Sequence, residues 1–308
     1  MTLEGVTMAT LLERQKIEVR SSGAALGADI DGVDLSEQLS PGTVDAIKRA
    51  WADHLVLRFR GQRLDDDQLM RFSAHFGELD WAPVIAASRV KVSGEDRYVE
   101  SAEEGRRYIS IISNIVENGK AIGALGAYES IWHTDMSYNP QPPCASALYA
   151  LEVPPAGGDT GFANMYVAYE TLPDELRQQI EGRLCRHDST YNSAGELRRG
   201  FSEVTDPRQA PGADHPIIRT HPVTGRKALF LGRRRNAYIQ GLELDDSERL
   251  LDALWAHATR PELTWYQQWR VGDLVLWDNR CVLHRREEFD PNSRRLMHRS
   301  QIKGDRPY

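Results

Sequence analysis

A histidine and an aspartate stand two positions apart in the segment Trp132-His-Thr-Asp-Met-Ser-Tyr138. His133 begins the only H-x-D or H-x-E triplet among the nine histidines of the chain. Alternate side chains of an extended strand share a face, so His133 and Asp135 are predicted to project together. An imidazole and a carboxylate on one face supply two members of the 2-His-1-carboxylate set of non-haem Fe(II) oxygenases. The triplet therefore predicts a metal site that needs a second histidine.

An apolar stretch near the C-terminus offers that histidine. Residues 272–284 read Gly-Asp-Leu-Val-Leu-Trp-Asp-Asn-Arg-Cys-Val-Leu-His. A short apolar run bounded by a glycine is consistent with a buried strand, and His284 is expected at its far end. His133, Asp135 and His284 are therefore the predicted metal ligands.

Arginines and a hydroxyl elsewhere in the chain predict the binding of anions. Arg295 and Arg299 lie four residues apart and would share one face of a strand with Met297. Two guanidinium groups on one face cost desolvation energy unless they meet anions, although the spacing alone does not choose Arg295 over Arg294. Upstream, Gly157-Gly-Asp-Thr160 predicts a tight turn that ends in a hydroxyl able to donate to a carboxylate.

The elements that would position these residues are mostly strands. Helical spacing or capping signals predict four helices: Pro41–His54, Asp65–Phe76 with Gly77 as its C-cap, Leu172–Gly182 and Asp245–Ala258. The predicted strands are Leu55–Phe59, Ala145–Leu151, Ile217–Thr220, Ala228–Leu231, Leu263–Trp269, Asp273–Trp277 and Arg295–Lys303. Helices and strands do not alternate, which favours an antiparallel sandwich or barrel decorated with helices over a βαβ fold.

Composition excludes several classes of protein. The chain has 308 residues, 41% of them hydrophobic and 27% charged, which is typical of a globular protein. A net charge of −7 argues against a sequence-independent nucleic-acid binder, and no apolar run is long enough to span a membrane. Three scattered cysteines argue against a disulfide framework and predict a reducing, cytoplasmic location.

No internal repeat or low-complexity linker marks a domain boundary. We expect a flexible N-terminal extension over residues 1–16 and one domain over residues 17–308. The segment 88–130 is long and polar, and a loop of that length is predicted to act as a lid.

Several motifs in a fixed order carry a resemblance to a known family. They are Phe76-Gly-Glu-Leu79, Trp132-His-Thr-Asp135, Gly157-Gly-Asp-Thr160, Arg219-Thr-His-Pro-Val-Thr-Gly225, Trp277-Asp-Asn-Arg280 with His284, and Arg294-Arg-Leu-Met-His-Arg299. From about Ile17 to Pro307 the sequence resembles the taurine dioxygenase / 2,4-dichlorophenoxyacetate dioxygenase (TauD/TfdA) family of Fe(II)- and 2-oxoglutarate-dependent dioxygenases. The resemblance implies a mainly β fold with peripheral helices, namely the double-stranded β-helix or cupin-like jelly roll.

The resemblance also implies a role for each motif residue. His133, Asp135 and His284 match the iron ligands. Arg295 matches the arginine that holds the distal carboxylate of 2-oxoglutarate, and Thr160 matches its hydroxyl partner. The implied cofactors are Fe(II), 2-oxoglutarate and O2, and the implied reaction couples decarboxylation of 2-oxoglutarate to succinate and CO2 with hydroxylation of a substrate, or with C–heteroatom cleavage that follows hydroxylation.

The implied substrate is a small organic anion, because Arg299 matches an arginine that binds the substrate anion in relatives. Tyr138 and Trp81 are further predicted substrate-binding residues. Ala82 stands where the taurine enzyme has a histidine, and Ser189 and Arg235 stand where it has phenylalanines, so taurine itself is not expected. Tyr191 and the basic run 233–235 are other candidate pocket features. Relatives form homo-oligomers, which predicts a dimer or tetramer, with no nucleic acid or membrane partner.

Two alternative functions stay open from the residues alone. A non-catalytic jelly-roll binding protein could retain the metal ligands as a structural site. A zinc hydrolase could use the same ligand set, but no motif places a separate general base, and Thr160 and Arg295 would then have no role.

Overall fold

The computed structural model describes residues 17–82, 89–92, 95–98, 106–127, 130–198 and 200–308. Its helices are α1 (Pro41–His54), α2 (Asp66–Ala74), α3 (Met165–Glu170), α4 (Asp174–Ile180) and α5 (Leu244–Ala258). Short 3-10 turns lie at Arg106–Tyr108, Pro207–Gln209 and Pro261–Leu263. The strands are β1 (Glu18–Ser21), β2 (Ala28–Asp31), β3 (Val56–Phe59), β4 (Leu79–Asp80), β5 (Arg89–Val92), β6 (Glu95–Tyr98), β7 (Ile109–Ser113), β8 (Val116–Glu117), β9 (Lys120–Ala121), β10 (Ala124–Leu125), β11 (Ser130–His133), β12 (Ala145–Glu152), β13 (Thr160–Asn164), β14 (Leu184–Asp188), β15 (Gly212–Pro216), β16 (Ile218–Thr220), β17 (Lys227–Leu229), β18 (Tyr238–Ile239), β19 (Thr264–Gln267), β20 (Leu274–Asp278), β21 (Val282–Arg286) and β22 (Leu296–Ile302).

Two sheets form the centre of the fold. The large sheet runs β1-β2-β3-β20-β12-β22-β7-β10, with β4 also paired to β22, and the small sheet runs β11-β21-β13-β19. The four strands β20, β12, β22 and β7 are joined in antiparallel pairs, as are the four strands of the small sheet. This arrangement of two packed, mainly antiparallel sheets with helices outside is the predicted jelly roll.

The two sheets pack face to face through large apolar side chains. Phe162 of the small sheet lies with its ring centroid 5.6 Å from that of Trp277 in the large sheet. Both rings are buried in one core cluster with Met297 of β22 and Leu148 of β12. Burial of these side chains removes their apolar surface from water, which is the main energy that holds two sheets together.

A second core cluster covers the other face of the large sheet. It contains Ile47 and Trp51 of α1 and Phe72 of α2, packed on strand residues such as Leu57 and Leu276. Helices α1 and α2 therefore hold the large sheet from outside, while the small sheet covers its inner face. Alternation along β22 shows the result, because Met297 lies in the inner cluster whereas Ile302 lies in the outer one.

Helix α1 matches its sequence prediction at both ends. The Ser40 hydroxyl accepts a hydrogen bond from the Thr43 N–H, and Pro41 occupies the first turn, where its missing N–H costs nothing. Helix α2 ends earlier than predicted, with His75 rather than Gly77 as its C-cap. Gly77 has a different role: its φ is 151°, and a Cβ there would lie 2.8 Å from the Ile302 side chain.

The predicted helix 172–182 is shorter than expected and follows a helix that the sequence did not predict. Asn164 caps α3 by accepting from the N–H groups of Tyr166 and Val167. Pro173 then lies at the N-cap of α4, so the chain turns between the two helices. The apolar residues of α3 follow directly on the buried strand β13, which hides the helical period.

The extension 1–16 and parts of the segment 88–130 lie outside the described residues, so the extension and the lid stay predictions. Within that segment Ile109–Ser113 is strand β7 of the large sheet, so these residues belong to the core rather than to a lid. Among the helices of the described ranges, none has both the length and the apolar composition of a membrane span.

Candidate active site

The three predicted metal ligands converge. His133 Nε2 and His284 Nε2 each lie 3.9 Å from Asp135 Oδ1. One possible ligand atom from each residue lies within 4.8 Å of the other two, and all three side chains are buried. Two imidazoles and one carboxylate at this separation could hold a metal ion as a 2-His-1-carboxylate set, a set that leaves other coordination positions open.

The local structure around Asp135 differs from the sequence prediction. Strand β11 ends at His133, and Asp135 lies in the turn that follows, next to Met136 with a φ of 46°. The Thr134 N–H donates to the Gly232 carbonyl, which anchors the segment between the two ligands. His133 and Asp135 are therefore brought together by a strand end and a turn, and not by the alternation of one strand.

His284 also reaches the site in a way that the apolar run did not predict. The run is two strands, β20 and β21, separated by a turn in which Asp278 accepts from the Arg280 N–H. His284 is the central residue of β21 and lies opposite His133 of β11 and Phe162 of β13. Its ring is held by stacking on Phe162 and by Trp277, whose centroid lies 4.9 Å away.

Both histidines are held in the neutral form that binds metals. His133 Nδ1 donates to the Ile131 carbonyl at 2.7 Å, which leaves the lone pair of Nε2 directed to the site. Burial, together with the charges of His284 and Arg233, lowers the pKa of His133 well below its usual value. Burial also lowers the pKa of His284 to about 4.

Asp135 is held as a carboxylate by two hydrogen-bond donors. Ser146 Oγ donates to its Oδ2 at 2.8 Å, and Arg299 Nη1 donates to both oxygens at 2.9 and 3.1 Å. Burial opposes the charge, but Arg299 and the two histidines keep the pKa of Asp135 below its usual range. Asn279 and Gln301 in turn donate to Ser146 Oγ. The sequence analysis missed Ser146, although a lone polar residue in an apolar central strand was a usable signal.

Arg295 presents a buried cation near the glycine turn. Its side chain is 2% exposed, it has no ion pair within the described residues, and its Nε has no hydrogen-bond partner there. Burial and the neighbouring Arg286 lower its pKa to about 9, so an incoming carboxylate would offset the cost of holding this charge. A Cβ at Gly158 would lie 3.5 Å from Arg295 Nε, which places the turn directly beside the guanidinium.

Thr160 begins β13 at the end of that turn. Its Oγ1 accepts a hydrogen bond from Trp269 Nε1 at 2.9 Å, which leaves the hydroxyl hydrogen available to donate elsewhere. Trp269 was not recognised from the sequence, because its contact with Thr160 depends on the packing of the segment that follows β19. Arg294 is exposed and pairs with Glu152, so the structure selects Arg295 as the buried member of the arginine pair.

The other predicted substrate residues lie in two places. Tyr138 is flanked by Arg198 and Arg233, whose guanidinium carbons lie 4.1 and 5.6 Å from its ring centroid. Arg233 forms a β-bridge with His133, so this group lies beside the metal ligands. Trp81 follows β4, and its ring centroid lies 5.8 Å from the guanidinium carbon of Arg107.

A second cluster of possible metal donors serves the structure instead. It consists of His221, Asp278 and Cys281. His221 Nδ1 accepts from two backbone N–H groups, so its Nε2 carries the proton and donates to Asp278 at 3.1 Å. Arg280 takes both oxygens of Asp278, and burial raises the pKa of Cys281 well above its usual value. The donor atoms of His221 and Asp278 are therefore already engaged in hydrogen bonds within the protein. These bonds connect the loop after β16 to the turn after β20.

Comparison with known proteins gives a consistent result over nearly the whole chain. The family described as "Taurine catabolism dioxygenase TauD, TfdA family" matches residues 18–301. The alpha-ketoglutarate-dependent 2,4-dichlorophenoxyacetate dioxygenase of Burkholderia sp. (strain RASC) is 34% identical over 285 residues, which are 90% of this chain and 91% of that protein. The alpha-ketoglutarate-dependent sulfate ester dioxygenase of Pseudomonas putida is 31% identical over 99% of this chain and 95% of its own length.

Solved structures agree with the sequence matches. AAD-2 in complex with Mn(II) and N-oxalylglycine has a TM-score of 0.74 at 31% identity, covering 94% of this chain and 98% of that chain. A taurine dioxygenase from Burkholderia xenovorans has a TM-score of 0.73 at 32% identity, with 94% and 90% coverage.

Proposed function

The chain belongs to the TauD/TfdA family of dioxygenases, and on this basis we propose that it is an Fe(II)- and 2-oxoglutarate-dependent dioxygenase that oxidises a small organic anion. The observation that carries the proposal is the convergence of His133, Asp135 and His284 in a jelly roll. The same fold buries the cation Arg295, which has no ion pair within the described residues. A ferrous ion bound with 2-oxoglutarate and O2 would supply the oxidising chemistry, with succinate and CO2 as coproducts.

The protein residues prepare the site for this chemistry. His133 and His284 offer neutral nitrogen lone pairs, and Asp135 offers the negative charge that a divalent metal needs. Ser146 and Arg299 hold the carboxylate in position. The buried location excludes water, which strengthens each electrostatic contact and protects reactive species.

We assign the cosubstrate to Arg295 and Thr160. A guanidinium can grip a carboxylate through two parallel hydrogen bonds, which fixes the orientation of the ligand. The Thr160 hydroxyl, whose oxygen already accepts from Trp269, donates its hydrogen to the same carboxylate. Both residues lie beside the same glycine turn, because Thr160 follows Gly158 by two positions and a Cβ at Gly158 would lie 3.5 Å from Arg295 Nε.

Two relatives act, by their names, on 2,4-dichlorophenoxyacetate and on sulfate esters, which are organic anions. We propose the same class of substrate for this chain, bound by Arg299 with Tyr138 and Trp81. The outcome is hydroxylation, or cleavage of a C–heteroatom bond at the hydroxylated carbon. We further propose a single catalytic domain over residues 17–308 that assembles as a homo-oligomer, either a dimer or a tetramer, in the cytoplasm. The three cysteines are free and buried, as a reducing compartment allows.

A succinate-release screen tests the proposal. The protein is loaded with Fe(II) without oxygen, exposed to O2 and 2-oxoglutarate, and offered carboxylates, sulfonates, sulfate esters and phosphonates. We expect succinate that depends on the substrate and that disappears in His133→Ala. His298→Ala is the matched control, because His298 faces outward from β22 to Asp66 and is expected to leave the activity intact.

The same screen separates the alternatives. A protein that binds the metal but releases no succinate with any compound, even without coupling to substrate, would support the non-catalytic binding protein. Hydrolysis with zinc that does not depend on 2-oxoglutarate would support the hydrolase.

A further inference from the structure

Arg233 is a buried cation that the family motifs do not explain. It lies in the loop after β17 and forms a β-bridge with His133, one of the metal ligands. Its residue surface is 7% exposed. Its charge acts on His133, Asp135 and His284, so its guanidinium lies within electrostatic range of the whole ligand set.

Within the described residues Arg233 forms no ion pair with a carboxylate, although the charges of Asp135 and Asp188 act on it from a greater distance. The single hydrogen bond of the side chain there is donated by Nη1 to the Tyr191 carbonyl at 3.0 Å, and Nε has no partner. The hydrogen bonds of the Asp188 carboxylate come from Thr190 and Asn236, and those of Asp135 come from Ser146 and Arg299, so neither carboxylate contacts Arg233 directly. A buried cation without a directly contacting anion is costly, and an anion that binds beside it would offset that cost.

The surroundings of Arg233 increase that cost. Arg198 lies on the same Tyr138 ring at 4.1 Å from its centroid, so a second positive charge flanks the first. The ring face attracts both cations but carries no net charge that would cancel them. Two guanidinium groups beside one tyrosine therefore make this wall of the site strongly positive.

The sum of the charges at the loaded site indicates the charge that the bound substrate should carry. In the loaded site, the charges of a divalent metal, Asp135, 2-oxoglutarate and Arg295 cancel in total. Among the charged residues that act on the buried ligand His284, Asp135 is already counted, and Arg299 and Arg233 then remain as two positive charges. Resting on the proposed function, we propose that Arg233 is a second anion-binding residue and that the primary substrate carries two negative charges, as a dicarboxylate or a phosphonate does.

The test compares dianions with partners that differ by one charge. Protein loaded with Mn(II) and N-oxalylglycine, so that the 2-oxoglutarate site is filled, is titrated calorimetrically with α,ω-dicarboxylates and alkylphosphonates and with their monomethyl esters. We expect at least one dianion to bind about tenfold or more tightly than its ester, since loss of one member of a buried charge pair has an effect of at least that size. Arg233→Gln is expected to abolish the preference, and Arg233→Lys to retain part of it.

Arg234→Gln is the matched control, because it removes the same charge from the adjacent residue. Arg234 pairs with Glu248 and Asp252 of α5 and faces away from the site, so its variant is expected to keep the preference. Esters that bind as tightly as the dianions, no binding by any dianion, or an equal loss in Arg233→Gln and Arg234→Gln would each overturn the inference.

Succinate release by the same compounds separates this inference from the proposed function. If monoanions stimulate succinate release as strongly as dianions do, the proposed dioxygenase activity stands and the proposal of a dianionic substrate is refuted. Binding of a dianion that depends on Arg233, with no succinate from any compound, would support the second anion site and refute the dioxygenase.

Discussion

Replacement of Ser146 by alanine should weaken metal binding, although the substitution changes none of the three predicted metal ligands. Ser146 lies fully buried on β12 and donates to Asp135 Oδ2 at 2.8 Å. Its oxygen accepts from Asn279 Nδ2 at 3.1 Å and from Gln301 Nε2 at 3.4 Å. The substitution therefore removes one of the two donors to Asp135 Oδ2, so that Arg299 alone remains, and it leaves the buried amide groups of Asn279 and Gln301 without this acceptor.

The size of the effect follows from these contacts. A hydrogen bond to a charged group contributes about 1.5–3 kcal/mol, and loss of a partner that orients a metal ligand typically weakens metal affinity about 10–100-fold. We expect Ser146→Ala to lower Mn(II) or Fe(II) affinity by that factor. We also expect the free energy of unfolding of the metal-free protein to fall by about 1–3 kcal/mol, because the Asn279 donor stays buried.

Anaerobic metal titration of Ser146→Ala beside Ser300→Ala gives the decisive comparison. Ser300 is equally buried and lies on the neighbouring strand β22, but its hydroxyl contacts Ser73 of α2 on the outer face of the sheet. Ser300→Ala should reduce stability and keep metal affinity. Equal metal affinity in the wild type and Ser146→Ala, or an equal loss in both variants, would refute the reasoning.

Further predictions concern the cosubstrate and pH. Arg295→Gln should raise the KM for 2-oxoglutarate by about two orders of magnitude or more, since breaking a buried charge pair costs about 3–5 kcal/mol, whereas Arg294→Gln on the surface should change it little; similar KM values for the two variants would contradict the assignment. Trp269→Phe removes the donor to the Thr160 hydroxyl and should raise the KM for 2-oxoglutarate severalfold in the same assay. An unchanged KM would show that the Thr160 hydroxyl does not need the hydrogen bond from Trp269. Burial and the neighbouring His215 lower the pKa of His187, so the unfolded chain takes up a proton below about pH 6.5 that the native chain refuses. The contribution of this group to the free energy of unfolding is therefore full above that pH and falls by up to about 1.4 kcal/mol per pH unit below it. Urea titrations from pH 7 to 5 should show that the free energy of unfolding depends less steeply on pH in His187→Leu than in the wild type. An equally steep dependence in both proteins would exclude His187 as its source.

The fold and the proximity of His133 to Asp135 could be predicted because they rest on local patterns. The cap Ser40-Pro41 defines α1, and the separation of the ligand residues brings their donors together in more than one backbone geometry. The sequence analysis placed Asp135 on a strand although it lies in a turn. Its predicted closeness to His133 is nevertheless correct, because a two-residue separation keeps the side chains close in both cases.

The parts that could not be predicted depend on contacts between distant segments. The Ser146 hydroxyl acquires its role only because β12 lies between β20 and β22, which brings Asn279 and Gln301 to it. The break before His284 is set by an aspartate side chain that accepts from the Arg280 N–H, a turn signal that the surrounding apolar residues conceal.

Strand β11 lies at the margin of the small sheet. Within the described residues β21 is its one ladder partner, its other side carries a single β-bridge from His133 to Arg233, and its register with β21 is irregular between Ser130 and His133. A metal held by His133 on this edge and by His284 on the next strand would fasten the two strands where their pairing is weakest. The ion would then stabilise the edge of the sheet in addition to its role in the reaction. In the metal-free protein, local unfolding and proteolysis are therefore expected first at β11.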